Sequence, residues 1–384
     1  MKTPLAWLNL VHEKTRLVVA IAGVTFAVIL VFMNLGFLGA LVKTASIFYS
    51  NIDAEIYLVS PQTLEISSTK TFPIERIYQS AGIEGVQRAM PLYLGYLQWR
   101  NPQNRLSRAI FAFGINPSDP VFLLPELQLP ETQAVLLRPD TVLIDRISRP
   151  EYGPQTTGLI TEARSSGGYR KVKIGGQFTM GGGFAADATI IMSDQNFRRF
   201  FDPFPLNRVN LGLVKLKDGA DKVRVIEQLR QILPKDVEVT IKEEVIAHDR
   251  DYWISATSTG FIFKMGVAVS CTVGVVIVYQ ILYSDVHNHL KQYATLKAMG
   301  YRSRYLFSIV IQEAVILAVL GYIPGFAISF ILYELLKKAS NGGLPIAMDF
   351  GRAIFVLLLT VLMCTVSGLI SVQKVMTADP AEVF

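Results

Sequence analysis

The sequence predicts a membrane α-helical protein with four transmembrane helices in a 1+3 arrangement and a large α+β extracytoplasmic domain inserted after the first helix. The prediction depends on four long uncharged runs and on the mixed α and β pattern between the first two. The uncharged apolar runs occupy residues 17–42, 265–284, 314–333 and 353–373. Each run provides the ~20 helical residues that cross a hydrocarbon core, where a helix satisfies its own backbone hydrogen bonds.

The N-terminal region, residues 1–16, is predicted to be an amphipathic cytoplasmic helix. Trp7, Leu8 and Val11 fall on one helical face, and a tryptophan beside basic residues is typical of a membrane surface. The alternative is that this region is the frayed start of the first transmembrane helix, residues 17–42. That apolar run is too long for a cleavable signal peptide, and no small-residue cleavage motif follows it. We therefore expect it to remain as a membrane anchor.

Residues 43–260 are predicted to form the inserted periplasmic domain. The strand and helix at its beginning and the β-α-β pattern at 209–241 predict a membrane-proximal α+β lobe made from both ends of the insert. A strand-rich lobe, about 86–205, is expected between them. Glycine pairs are expected to separate its strands at 169–174 and 177–180.

The rest of the chain alternates predicted transmembrane helices with short loops. In order, we expect transmembrane helix 2 at 261–284, a cytoplasmic coupling loop at 285–305, transmembrane helix 3 at 306–336, a short periplasmic loop at 337–352, transmembrane helix 4 at 353–374 and a cytoplasmic tail at 375–384.

The distribution of charge predicts the sidedness of these segments. The chain carries a net charge of +6, yet residues 43–251 contain 25 basic and 24 acidic residues. The excess basic residues precede the first helix, fill the loop at 285–305 and follow the fourth helix. Short loops rich in Lys and Arg stay cytoplasmic. We therefore expect a multi-pass membrane protein with both termini cytoplasmic, and the basic charge does not indicate nucleic-acid binding.

The sequence lacks the motifs of common catalytic, nucleotide and metal sites. It contains no G-x-x-x-x-G-K-[ST] phosphate loop, no H-E-x-x-H pair and no G-x-S-x-G turn. His287 and His289 are two residues apart, so on a helix they point in nearly opposite directions. Gly181–Gly183 is interpreted as a tight turn, since no lysine follows it. We expect no catalytic residue, metal or cofactor in this chain, and no disulfide in the outer domain because Cys271 and Cys364 lie in apolar runs.

Two features inside the predicted transmembrane helices are candidates for function. Gly266, Ser270 and Gly274 are each four residues apart and form a small-residue stripe that predicts a dimer interface. The alternative is close packing within one subunit. In the third helix, Glu313 is a carboxylate two turns inside the apolar segment, and such a group must face protein, water or the interface. It is expected to pair with a basic residue near the cytoplasmic headgroups rather than to relay protons.

The loop at 285–305 contains a predicted helix that ends at Gly300, a residue suited to the left-handed stop of a helix. Its apolar residues form a strip, and an exposed apolar strip on a short helix indicates a protein partner. We predict that this helix binds a protein partner. The predicted coupling residues are Leu290, Tyr293, Leu296, Lys297, Met299, Gly300, Arg302 and Arg304.

The segment Gln-Tyr-Ala-Thr-Leu-Lys-Ala-Met-Gly at 292–300 resembles the E-I-G-x-L-R-A-x-G signature of MacB/FtsX-type ABC permeases. It departs from that signature at Gln292, Ala294 and Lys297. These departures are similar to the DevC branch of the family. Two further segments are similar to DevC proteins, namely the opening Lys-Thr-Pro-Leu-Ala-Trp-Leu-Asn-Leu and the closing Ala-Asp-Pro-Ala-Glu-Val-Phe. The resemblance extends over essentially the whole chain.

The resemblance implies a homodimeric permease that works with separate ATPase subunits holding ATP and Mg²⁺, a periplasmic adaptor and a TolC-like outer-membrane duct. The membrane helices of this family are thought to transmit ATP-driven movement, and DevC relatives are associated with export of envelope glycolipids. The resemblance therefore implies export of envelope lipid, glycolipid or other hydrophobic cargo.

The sequence has two alternative interpretations. The first is an FtsX-like signalling scaffold that regulates a periplasmic partner without export. The second is an intramembrane enzyme, which the missing paired acids, nucleophile motif and histidine ligands argue against.

Overall fold

The computed structural model describes residues 5–12, 14–181, 186–205, 207–288, 299, 303–340 and 343–376. The chain divides into two compact units. The membrane unit comprises Met1–Gly39, Ser258–Leu336 and Ile346–Phe384, and the sheet unit comprises Ala40–Thr257 and Lys337–Pro345.

The helices of the described residues are α1 Leu5–His12, α2 Lys14–Ser50, α3 Glu75–Ala81, α4 Pro125–Gln128, α5 Pro130–Leu136, α6 Asp194–Phe200, α7 Lys222–Ile232, α8 Lys242–Asp251, α9 Ser258–Asn288, α10 Ser303–Ala339 and α11 Phe350–Met376. Short 3₁₀ turns occupy Ile66–Ser68 and Pro150–Tyr152, and a π-helical turn occupies Tyr252–Ala256. The strands are β1 Ile56–Val59, β2 Phe72–Pro73, β3 Val86–Arg100, β4 Ser107–Ile115, β5 Thr141–Asp145, β6 Ile160–Arg164, β7 Arg170–Phe178, β8 Thr189–Ser193, β9 Arg208–Val209, β10 Leu211–Leu216 and β11 Glu238–Ile241.

Four helices among the described residues, α2, α9, α10 and α11, are long and apolar enough to cross a membrane. One precedes the strands and three follow them, which confirms the predicted 1+3 fold class with an inserted α+β domain. Each helix extends beyond the predicted transmembrane range. Helix α2 continues to Ser50, eight residues past the predicted end at 42, because a helix can continue into polar sequence after its hydrophobic length is complete.

Small residues and side-chain hydrogen bonds hold the helices of the membrane unit together. A Cβ atom at Gly321 would lie 2.5 Å from Val24, so glycine permits the close approach of α10 to α2. The Thr25 hydroxyl donates to the Gly321 carbonyl at 3.1 Å. Helix α11 is joined to α9 by the hydroxyl of Ser367, which donates to the Val275 carbonyl at 2.9 Å.

The main sheet of the sheet unit has the strand order β11-β1-β10-β3-β4-β8-β5-β7-β6, and an additional β3–β6 pairing closes it. The ring β3-β4-β8-β5-β7-β6 is therefore a closed six-stranded barrel. The first part of β3 pairs with β10, and its second part pairs with β4 and β6. Thus one 15-residue strand belongs both to the barrel and to the sheet made from the two ends of the insert.

Two apolar cores lie on opposite faces of this sheet. One contains Trp99, whose indole N–H donates to the Tyr152 carbonyl at 3.2 Å. The other receives Phe48 from the end of α2, whose ring packs 5.6 Å from that of Phe111 and 5.4 Å from that of Phe113. Aromatic pairs at these centroid distances contribute packing energy beyond their buried area.

The structure differs from the predicted strand pattern at a glycine pair. The sequence predicts separate strands at 169–174 and 177–180, whereas β7 runs through both glycines from Arg170 to Phe178. The register with β5 shifts between Val142 and Leu143, opposite the pair, so the glycines make a bulge rather than a turn. Lys337–Pro345, part of the predicted periplasmic loop at 337–352, groups with the sheet unit.

Candidate coupling site and partner surfaces

The candidate coupling segment joins the end of α9 at Asn288 to the start of α10 at Ser303. Met299 occupies a turn and its side chain is 63% exposed. Arg304 lies in the first turn of α10, and nothing is described of its side chain. The other predicted coupling residues lie outside the described part of the chain, namely Leu290, Tyr293, Leu296, Lys297, Gly300 and Arg302.

The helix ends that carry this segment are packed together. Val286 of α9, Ile309 and Val310 of α10, and Val372 of α11 are all buried in one apolar cluster. Three transmembrane helices thus meet at the base of the coupling segment. Because a packed cluster resists deformation, a displacement of the segment would be passed to several helices together.

The residues of α9 before the segment form an aromatic ladder at a spacing of four. The rings of Tyr279 and Tyr283 stack at 5.8 Å, and those of Tyr283 and His287 stack at 6.2 Å. In the described part of the chain, no group of three or more His, Cys, Asp or Glu side chains could hold a metal ion. His289, the predicted neighbour of His287, lies outside the described residues.

The small-residue stripe of α9 faces α2 of the same chain. The Asn34 amide donates to the Ser270 hydroxyl at 3.1 Å, and a Cβ atom at Gly266 would clash with Asn34. A Cβ atom at Gly274 would lie 3.1 Å from Ala27 of α2. The stripe therefore mediates packing within one subunit, which was the alternative interpretation. Pairing of two copies along α9 stays a prediction.

Glu313 is fully buried in the membrane unit. It precedes Ala314, whose Cβ atom packs near Gly368 of α11. Its expected basic partners lie where side chains are not described, so the predicted pairing stays untested.

A buried polar network in the sheet unit ties the end of α2 to α8. The Tyr49 hydroxyl donates to Oδ2 of Asp249 at 2.9 Å, and the Ile66 N–H donates to the same oxygen at 3.0 Å. Burial raises the pKa of Asp249 to about 7, although these two hydrogen bonds oppose the shift. The negative charge of buried Glu65 raises this pKa further, while His248, with Nδ1 3.6 Å from Asp249, lowers it.

A second site of concentrated charge lies on the outside of the barrel. Strand register places Arg100, Glu162 and Lys171 side by side, and Arg164 is two residues from Glu162 on the same face. Tyr169 lies beneath two guanidinium groups, with the Arg100 and Arg164 Cζ atoms 3.8 and 4.7 Å from its ring centroid. A hydrogen bond with Ser107 and the nearby guanidinium groups lower the pKa of the Tyr169 phenol. The basic barrel surface is defined as Arg100, Arg105, Arg164, Tyr169, Lys171 and Lys173.

Sequence reasoning missed this surface because the charge of the inserted domain was counted as a whole. Residues 98–108 and 160–173 contain seven basic residues and one acidic residue. The same domain is nearly neutral overall, so these two segments differ strongly from the rest. A count along short windows would have found both segments, but only the β3–β6 pairing shows that they lie together.

A comparison with known protein families finds a match in the membrane part of the chain. Residues 264–380 match the family model described as FtsX-like permease C-terminal. This part of the chain is therefore similar to the C-terminal domain of FtsX-like permeases. This confirms the predicted relationship to MacB/FtsX-type permeases, whereas the narrower resemblance to the DevC branch stays a prediction.

The FtsX-like match spans α9, α10, α11 and the coupling segment between the first two. No curated protein matches the chain. Among solved structures, the chain is similar to the periplasmic region of MacB from Actinobacillus actinomycetemcomitans, with 12% identity over 50% of this chain and 92% of that chain and a TM-score of 0.36. It is also similar to the extracellular domain of the transporter YknZ from Gram-positive bacteria, with 16% identity over 49% of this chain and 99% of that chain and a TM-score of 0.35.

Proposed function

We propose that this chain is the membrane subunit of a tripartite ABC exporter and transmits ATP-driven movement from a separate cytoplasmic ATPase to its sheet unit. The observation that carries the proposal is the FtsX-like match, which includes the coupling segment. The buried cluster of Val286, Ile309, Val310 and Val372 supports it, because this cluster would convert a displacement of the segment into a joint displacement of α9, α10 and α11.

The same proposal assigns no catalytic residue to this chain. ATP and Mg²⁺ would be bound by the ATPase subunit, and the chain itself would need no cofactor. The moving parts are helices, and helix α2 extends without a break from Lys14 to Ser50, where its last residues join the core of the sheet unit. In such an assembly the permease works as a homodimer in the inner membrane with both termini cytoplasmic.

The sheet unit would then lie in the periplasm and bind an adaptor, which in turn contacts a TolC-like outer-membrane duct. We propose that the basic barrel surface is the adaptor contact, since its concentration of positive charge suits an acidic partner face. The proposed cargo is an envelope lipid, a glycolipid or another hydrophobic molecule, by resemblance to DevC proteins.

The test of energy coupling is a Leu296→Asp substitution in the coupling segment. On the predicted helix, Leu296 is an apolar anchor of the ATPase interface, and truncating a buried anchor typically costs ~2 kcal/mol or more. We expect the variant to lose the co-purifying ATPase and to stop export while still inserting into the membrane. Lys297→Gln should weaken the complex less and make it more sensitive to salt, because rim charges are screened.

The matched control is Ala298→Asp, which introduces the same charge about 160° around the predicted helix from Leu296. It should retain the ATPase. A normal ATPase complex and normal export in Leu296→Asp would contradict the proposal. If the complex contains an ATPase and a periplasmic hydrolase but no adaptor, the signalling-scaffold alternative replaces export.

A further inference from the structure

The membrane unit contains a groove of about 610 Å³ bordered by α1, α2, α9 and α10. This volume lies within the ~300–1,000 Å³ range of small-molecule sites. Its floor is apolar, because Leu10, Ala20, Leu282 and Leu317 line it and are buried. Exposed side chains form its rim, including that of Ala22, which leaves the groove open on the side of the bundle.

The groove is polar at one end and apolar at the other. Helices α2 and α9 pack antiparallel, as shown by a Cβ position at Gly23 that lies 2.6 Å from Ile277 and by the Asn34–Ser270 hydrogen bond. Residues later in α2 therefore lie opposite residues earlier in α9. This register places Arg16 level with Ser284, and both line the groove. The Gly23–Ile277 end carries no polar side chain.

This order of groups matches a phospholipid that stands in one leaflet of a bilayer. Arg16 and Ser284 lie where the uncharged runs of α2 and α9 end, which is the level of the headgroups. The apolar end lies deeper in the hydrocarbon, where a hydrogen-bonding ligand would lose its water without compensation. A cation at the headgroup level and an apolar channel below it favour an anionic headgroup with an acyl chain.

We propose that this groove is a binding site for an anionic glycerophospholipid, with the phosphate at Arg16 and an acyl chain along the Gly23–Ile277 wall. Thr15 also lines the polar end and can hydrogen-bond to the headgroup, while Gln280 lines the groove between its two ends, level with Ala20. The lipid is a bound component of the permease at its predicted cytoplasmic side. The inference is independent of the proposed export function, because it depends only on the groove.

The test uses the full-length protein in phosphatidylcholine nanodiscs that contain a phosphatidylglycerol probe with a diazirine on its acyl chain. Cross-linked peptides are identified by mass spectrometry, and a phosphatidylcholine probe with the same diazirine serves as the reference. We expect the phosphatidylglycerol probe to label residues 15–23 and 277–284 in preference to the exposed faces of α10 and α11. Arg16→Gln should reduce this labelling about fivefold, the effect of one basic residue at a membrane surface.

Matched variants separate the groove from general attraction to the membrane. Lys14→Gln removes a nearby exposed charge that does not line the groove, and it should leave labelling unchanged. Ala22→Trp fills the groove and should abolish labelling, whereas Val18→Trp adds the same side chain at an exposed position outside the groove lining. Equal labelling by the two probes, or an equal loss in Arg16→Gln and Lys14→Gln, would overturn the proposal. So would a groove that stays unlabelled because a second copy of the chain covers it.

Discussion

Asp249 is a carboxyl group that the fold buries between two helices. Its two hydrogen-bond donors, Tyr49 and Ile66, favour the charged form, yet burial raises the pKa to about 7. A carboxyl group whose pKa is higher in the folded than in the unfolded protein stabilises the folded state while it is protonated. This contribution is complete at a pH below the unfolded-state pKa, and it is lost as the pH rises through the folded-state pKa. The contact between α2 and α8 is therefore expected to weaken between about pH 4 and pH 7.

Asp249→Asn should remove this pH dependence. The amide keeps an oxygen that can accept from Tyr49 and Ile66, and it never ionises. Since one pKa unit corresponds to about 1.4 kcal/mol, we expect the variant to be more stable than the wild type by about 2–4 kcal/mol at pH 8 and nearly equal to it at pH 4. Pulse proteolysis of the full-length protein in detergent, over a urea series at each pH, measures the free energy of unfolding of the sheet unit.

The control for this prediction is Asp251→Asn, two residues further along and exposed at the surface. It should leave the dependence on pH as in the wild type. A pH dependence that is the same in Asp249→Asn and in the wild type would show that Asp249 does not titrate in this range. The sequence could not have predicted this group, because Tyr49 and Asp249 are 200 positions apart.

The transmembrane helices were the elements most open to prediction. Lipid requires every spanning segment to be helical and apolar for about 20 residues, so each span is visible in a short window of sequence. The sequence was less informative about which neighbouring helix each helix face contacts. The stripe at Gly266, Ser270 and Gly274 predicts a close helix neighbour, but spacing alone does not distinguish a second subunit from α2 of the same chain.

A disulfide experiment tests the observed packing of α9 on α2. In a background with Cys271→Ala and Cys364→Ala, Asn34→Cys combined with Ser270→Cys should form an intrachain disulfide on mild oxidation, because the two side chains are in hydrogen-bond contact. Mass spectrometry after thiol alkylation counts the remaining free cysteines.

The matched control pairs Asn34→Cys with Val269→Cys, since Val269 is adjacent in sequence but its side chain is exposed. This pair should stay reduced within one chain. Efficient disulfide-linked dimers from Ser270→Cys alone would show instead that the stripe faces a second copy.

At the scale of the whole molecule, charge is distributed unevenly over the sheet unit. The basic barrel surface is formed by strands β3, β6 and β7 and the turns beside them, and two of its arginines stack on Tyr169. The general class of an inserted α+β domain was predictable from the alternating pattern of its strands. The closure of the barrel was not, because it depends on the pairing of Gln98–Arg100 with Glu162–Arg164 across a long stretch of chain.

Reversing the charge of this surface should weaken adaptor binding. Each exposed ion pair contributes ~0.2–1 kcal/mol, and reversal adds repulsion, so Arg164→Glu with Lys171→Glu is expected to lower the affinity about tenfold at low salt. The loss should become smaller as ionic strength rises. Biolayer interferometry between the full-length protein in nanodiscs and an adaptor that co-purifies with it measures both effects.

Lys217→Glu with Arg224→Glu is the matched control, because both residues are exposed in the same unit and outside the basic barrel surface. This variant should bind the adaptor like the wild type. Equal affinity loss in the two double variants would indicate attraction to the net charge of the protein rather than a specific contact.

The closed barrel limits how any protein can recognise the sheet unit. Within the described strands of the main sheet, closure leaves β11 as the terminal strand, and β11 spans only Glu238–Ile241. A partner that adds its own strand to β11 would have only this short unpaired backbone to extend. Recognition at this end of the sheet must then depend mainly on side chains, which single substitutions can change without disturbing the sheet. A permease built in this way can exchange one partner for another through surface mutation alone, while its backbone stays constant.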